Sequence, residues 1–199
     1  MAPRAYRLQK RAEAVDSTRR RIVDAVVELH GEKGILATSW EEIARRADVA
    51  PATVYRHFPT LDELVPACGG RIMQITAPPT PAIFTGLETL QERLAALVHG
   101  LFDFYERADR FLAMARCEAD KVPALAAGLR EQDDAHLGLV REALGSPAGD
   151  GEAVQIARAL TDFFTWKAFS STGMASGAAD IVSDLLLSRL TNNHSDQAQ

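Results

Sequence analysis

Cysteine is scarce in this chain. Only Cys68 and Cys117 occur among 199 residues, far apart and at no metal or redox spacing. A disulfide-stapled scaffold is excluded, and two reduced thiols are the plain reading. Long apolar runs are missing too. None reaches the ~18 residues of a membrane span, and the basic opening "MAPRAYRLQKR" leads into no apolar segment, so it does not read as a secretory signal. Alternating Val/Ile/Thr stretches and Asn-Gly or Asp-Gly turns are absent, which argues against strands and hairpins. No G-x-S-x-G elbow or glycine-rich phosphate loop appears, so nothing supports an enzyme. Internal repeats are not evident. A cytoplasmic, all-α protein without cofactor or metal remains.

What is present is an ordinary globular balance, 47% hydrophobic and 25% charged, long enough to bury its own core. The charge is uneven. Residues 1–60 carry 11 Lys/Arg against 8 Asp/Glu, and the remainder 11 against 19, within a net charge of −5. A basic front of +3 on an acidic body of −8 points to a polyanionic partner for the front alone.

Helical periodicity fills the chain. Residues 1–14 read as a flexible basic arm. Its Arg4, Arg7, Lys10 and Arg11 either follow phosphates, enter a minor groove or are simply solvated. Asp16 or Ser17 caps a helix to Lys33, with Ile22, Ala25, Val26 and Leu29 inward and Gly34 as its stop. Ser39 and Glu42 have capping-box spacing for a short helix, Trp40 to Ala47. Pro51 opens a third helix to about His57. Thr60 caps a fourth, in which Pro66 and Gly69–Gly70 predict a kink or a weak point. The proline-rich "TAPPTPAIFTG" is the best boundary. Beyond it the pattern predicts helices at 86–107, 109–120, 123–145, 151–173 and 177–190, with "GSPAGDG" a loop and 192–199 a disordered tail. The domain division is therefore 15–60 for the head, 61–77 for a connecting helix and 78–191 for a regulatory and dimerisation body.

The stretch "TSWEEIARRADVAPATVYRHF" (38–58) reads as helix, turn, helix, with Ile43, Ala44, Val49, Val54 and Phe58 inward. In such a motif the second helix enters the DNA major groove. Thr53, Tyr55, Arg56 and His57 would then meet phosphate oxygens and base edges.

Together with "RRRIVDAVVELHGEKG" and "DEL", this segment resembles the tetracycline-repressor (TetR) family of bacterial transcription regulators over about residues 17–67. The resemblance implies a homodimeric all-helical repressor. It would have a three-helix helix-turn-helix head joined to a helical ligand-binding and dimerisation bundle, and a small-molecule effector would release it from operator DNA. By position, Thr38 and Ser39 would meet phosphate, Thr53 and Tyr55 base or backbone, and His57 phosphate. Arg56 is the candidate base reader, with Pro51 and Ala52 placed for a thymine methyl. Asp48 stands where the turn usually has glycine, Ala50 where the third helix usually has a serine cap, and Leu61 where a phosphate-binding lysine is common. These departures motivate an alternative, a helical small-molecule-binding module that has lost or altered DNA reading.

In the C-terminal part, broad apolar surfaces on 151–173 and 177–190 predict a symmetric helical dimer interface. Phe102, Tyr105, Met114, Cys117, Phe163 and Trp166 are candidates to line an effector cavity, with His99, Glu118 and Asp162 supplying polarity. Each of these has a plainer reading as core or surface. The spacings of His99, His136, Glu118 and Asp162 fit neither H-E-x-x-H nor a di-metal Glu-x-x-His pattern.

Overall fold

The computed structural model describes residues 3–145 and 151–196. The described residues contain no strand. The helices run α1 (Pro3–Lys33), α2 (Trp40–Arg46), α3 (Pro51–His57), α4 (Leu61–Thr76), α5 (Leu90–Glu118), α6 (Pro123–Ala143), α7 (Glu152–Leu160), α8 (Phe163–Ser171) and α9 (Ala175–Asp196), with a 3-10 turn at Pro81–Phe84. The chain forms two compact units. One comprises Met1–Ile75 with Arg110–Leu129, the other Thr76–Asp109 with Arg130–Gln199.

The first unit is built on α1. Ile22, Val26 and Leu29 project from it into a core shared with Ile43 and Ala44 of α2, Val54 of α3, Phe58, and Leu64 and Cys68 of α4. Phe111 of α5 completes that core. Arg110–Leu129, assigned from the sequence to the regulatory body, therefore clusters with the head. Glu118 is a second reason. Its carboxylate accepts the backbone N–H of Ile35 at 2.7 Å and of Leu36 at 3.3 Å. Gly34 lets this happen: its φ is +86°, and a Cβ there would run into Glu118 and Met114. Val122 packs with Ile35 and Val65 to extend the same unit.

The second unit centres on α5, from which Leu94, Leu97, Val98, Phe104, Tyr105 and Ala108 are buried, as are Val182 and Leu186 of α9. Lys167 of α8 pairs with Asp109 at 2.6 Å. Arg107 ties down the end of α4, donating to the carbonyls of Thr76 at 2.8 Å and Ala77 at 3.0 Å.

Several predicted boundaries differ from the structure. The arm is helical from Pro3, because residues 4–21 hold good helix formers and no glycine, and proline is tolerated in a first turn. Helix α4 runs through Pro66 and both glycines as one element. The predicted helices 86–107 and 109–120 are a single helix, since no proline or glycine interrupts 101–118. The predicted helix 151–173 is two. Thr161 turns its hydroxyl back onto Ala157 O at 2.7 Å, and Asp162 accepts from Phe164 N at 2.8 Å as the cap of α8. Helix α9 continues to Asp196, through most of the segment read as tail. Residues 146–150 of the predicted loop and 197–199 of the predicted tail lie outside the described residues.

Candidate nucleic-acid interface

Helix α2 is capped as its spacing predicts. Ser39 Oγ accepts Glu42 N at 3.3 Å, and Ser39 N donates to Glu42 Oε2 at 3.1 Å, which closes the capping box. Lys33 Nζ sits 2.5 Å from Glu42 Oε1. Hydrogen bonding from Lys33, then from Ser39, holds the Glu42 carboxyl at a pKa of about 2. The turn into α3 uses Asp48 at φ 52°, in the left-handed region. Ala50 begins α3 with no side-chain cap, and Pro51 supplies the first turn instead.

Helix α3 has one buried side and one open side. Val54 and Phe58 are fully buried. Pro51, Ala52, Tyr55 and Arg56 are exposed, and Thr53 and His57 are half-buried. The buried pair fixes the helix, and Ala52, Thr53, Tyr55, Arg56 and His57 are left exposed or half-buried around it.

Thr38 and Ser39 sit at the start of α2, half-buried. Thr38 Oγ1 donates to Gly34 O at 2.7 Å, and Ser39 Oγ donates to Glu42 Oε2 at 3.1 Å. Both hydroxyl protons serve the head internally, so a phosphate reaching these side chains must displace a bond. His57 is pushed below the usual histidine range, first by desolvation and then by Arg56 and Arg19. These causes all favour the neutral imidazole over the cation.

Three supports are invisible in the sequence. Trp40 of α2 lies beside Tyr55, ring centroids 5.2 Å apart and tilted 33°, and so braces an exposed aromatic. Arg19 donates to His57 O at 3.2 Å and stacks 4.1 Å over the Phe58 ring, closing the end of α3. Arg21 stands 3.8 Å from Asp48. An open cleft of about 350 Å³ on this unit is lined by Leu29, Glu32, Lys33, Glu42, Arg45 and Arg46. Its charges are matched within it, Lys33 to Glu42 and Arg46 to Glu32 at 3.0 Å.

The cavity candidates do not come together as one group. Phe102, Tyr105, Phe163 and Trp166 meet in the second unit, with Tyr105 5.6 Å from Phe163 edge-on and 6.1 Å from Trp166. Tyr105 Oη donates to Thr161 O at 3.2 Å, and His136 Nε2 lies 2.8 Å from Thr161 Oγ1, so the α7–α8 break is bound into this cluster. His99 is exposed and pairs with Asp180 at 3.0 Å. Asp162 is a helix cap. Met114, Cys117 and Glu118 belong to the first unit, where Cys117 is exposed and Glu118 caps the loop after α1. Among the described residues no group of three or more His, Cys, Asp or Glu could hold a metal ion, and no helix is long and apolar enough to cross a membrane.

Residues 22–68, which contain α2, the Asp48 turn, α3 and their packing partners, match the model of the bacterial regulatory proteins of the tetR family. Over those residues the chain is similar to the TetR family. It is 32% identical to the HTH-type transcriptional regulator BetI of Rhizobium meliloti over 93 residues, 47% of this chain and 44% of that protein. It is 46% identical to an uncharacterized HTH-type transcriptional regulator of Haemophilus influenzae over 55 residues, 27% of each. The matches therefore span less than half the length of these relatives. Among solved structures, Salmonella enterica GusR superposes with a TM-score of 0.58 at 21% identity, over 85% of this chain and 93% of that one, a likeness of fold. Both the tetR-family match over residues 22–68 and the all-α architecture agree with the sequence reading.

Proposed function

We propose that this chain is a ligand-responsive transcriptional regulator of the TetR repressor type, which binds operator DNA as a homodimer and is released by a small-molecule effector. The observation that carries the DNA-reading part is the two-sided α3. Val54 and the adjoining Phe58 are locked in the head core, and Thr53, Tyr55, Arg56 and His57, with Pro51 and Ala52, are left exposed or half-buried. In this reading Arg56 contacts a base, His57 and the α2 start at Thr38 and Ser39 meet phosphate, and Tyr55 is held to its contact by Trp40.

Exposed apolar side chains support a homodimer through α7–α9. Phe164 of α8 is 61% exposed, and Ile181 and Leu185 of α9 are exposed as well. The aromatic cluster of Phe102, Tyr105, Phe163 and Trp166 supports an effector site in the 78–191 body. The test is an anisotropy titration against DNA selected from a random pool, repeated with candidate effectors. Sequence-selective, salt-sensitive binding is expected. A chain that selects no sequence refutes the reading.

A further inference from the structure

Helix α1 extends well past the core it serves. Its first buried residue is Ile22 among those whose exposure is described, and from Gln9 to Arg21 every residue but Thr18 is exposed. Two contacts fix where this overhang leaves the head. Arg19 holds the His57 carbonyl and covers Phe58 at the end of α3, and Arg21 faces Asp48 in the turn that enters α3. The overhang thus departs from beside the recognition helix.

Its composition is one-sided. Residues 3–21 contain Arg4, Arg7, Lys10, Arg11, Arg19, Arg20 and Arg21, against only Glu13 and Asp16. By residue number, 4, 7, 11, 15 and 19 follow one another in three- and four-residue steps, the spacing that returns to one helix face. Four of these five positions are arginine. Glu13 falls two residues from Arg11 and is bonded to Gln9 at 3.1 Å instead. Beyond residue 60 the chain is acidic, so its attraction for a polyanion is concentrated in the head and this overhang.

We propose that the α1 overhang is a phosphate-binding rail, which lies along the duplex flanking the sequence that α3 reads. The inference rests on the DNA-reading function proposed above and adds a second contact region to it. At ~1.5 Å per residue, its roughly 19 residues reach about 28 Å, or about 8 base pairs of duplex. The rail reads no bases. Arg4, Arg7 and Arg11 meet sugar–phosphate only, so the rail adds affinity and salt dependence without changing operator choice.

The test compares the full chain with the triple variant Arg4→Ala/Arg7→Ala/Arg11→Ala. Each is titrated with the selected operator in a minimal duplex and in one extended by about 10 base pairs on each side, across a salt series. Expected is a gain of about tenfold from the flanks for the full chain at low salt. The variant should lose that gain, keep the same operator preference, and show a salt slope shallower by about 3 per chain. Its thermal unfolding midpoint should be unchanged, since all three positions precede Ile22, the first residue of α1 in the head core. Equal flank gain and equal slopes in both proteins overturn the rail and leave operator reading intact. A full chain that binds no operator of either length overturns both.

Discussion

Lowering the pH should destabilise the head through one buried histidine. His30 is 6% exposed in the first unit, and burial holds its imidazole at about 4 instead of the usual 6.5. Its Nδ1 lies 3.6 Å from Cys68 Sγ, and burial pushes that thiol up to about 12. The pair is therefore a neutral imidazole beside a neutral thiol, joining α1 to α4. Because the folded pKa lies below the unfolded one, the unfolded chain binds the extra proton as pH falls below about 6.5. Stability is fully present above that value and is lost progressively down to about 4. At 1.36 kcal/mol per pH unit the full window is worth roughly 3 kcal/mol, and about 2 kcal/mol is gone by pH 5. That is a large fraction of a domain's typical ~5–15 kcal/mol. Urea melts of wild type and His30→Leu between pH 7.5 and 4 measure it. The wild type should lose about 2 kcal/mol more than the variant at pH 5, since carboxylate titration is common to both. Direct NMR titration of the His30 ring gives an independent check. An imidazole that titrates near 6.5 in the folded protein refutes the argument, whatever the variant does.

Other outcomes follow from the same geometry. Glu118→Gln keeps the shape but replaces charge-assisted bonds to Ile35 and Leu36 N–H with neutral ones, and should cost about 1–2 kcal/mol in a denaturant melt. Asp48→Gly relieves a left-handed φ of 52° and surrenders only an exposed pair with Arg21, so it should stabilise by up to about 1 kcal/mol. A destabilised variant would show that the Asp48 side chain matters more than its backbone. Arg56→Ala should relax selectivity at one operator position at a cost of about 1–3 kcal/mol, whereas His57→Ala should weaken all sequences alike, both read by competition titration. Trp40→Leu, which removes the brace of Tyr55, should weaken operator binding with little change in salt slope, because no phosphate contact is lost.

Local signals in the head were legible because their partners are near in sequence. Ser39 and Glu42 are three residues apart, and the capping box formed. Asp48 stands where the family resemblance puts glycine, and it takes the positive φ that glycine accepts readily. Val54 and Phe58 are four apart on a short helix, so one face had to be core and the other open. Helix ends in the C-terminal part were misplaced where propensity is ambiguous. Nothing local shows that α5 continues past residue 107, or that Thr161 and Asp162 break a helix by bonding Ala157 and Phe164.

The sequence by itself determined an all-helical chain, its helix-turn-helix and the residues that α3 can offer to DNA, since caps, turns and 3.6-residue periodicity act within a few positions. Only the tertiary structure decided what meets across long separations. Glu118 caps a loop more than 80 residues away, Phe111 enters the head core, Trp40 meets Tyr55, and Arg19 clamps the end of α3. Such contacts depend on where whole helices pack, and packing is set by the summed burial of many side chains rather than by any short run of sequence.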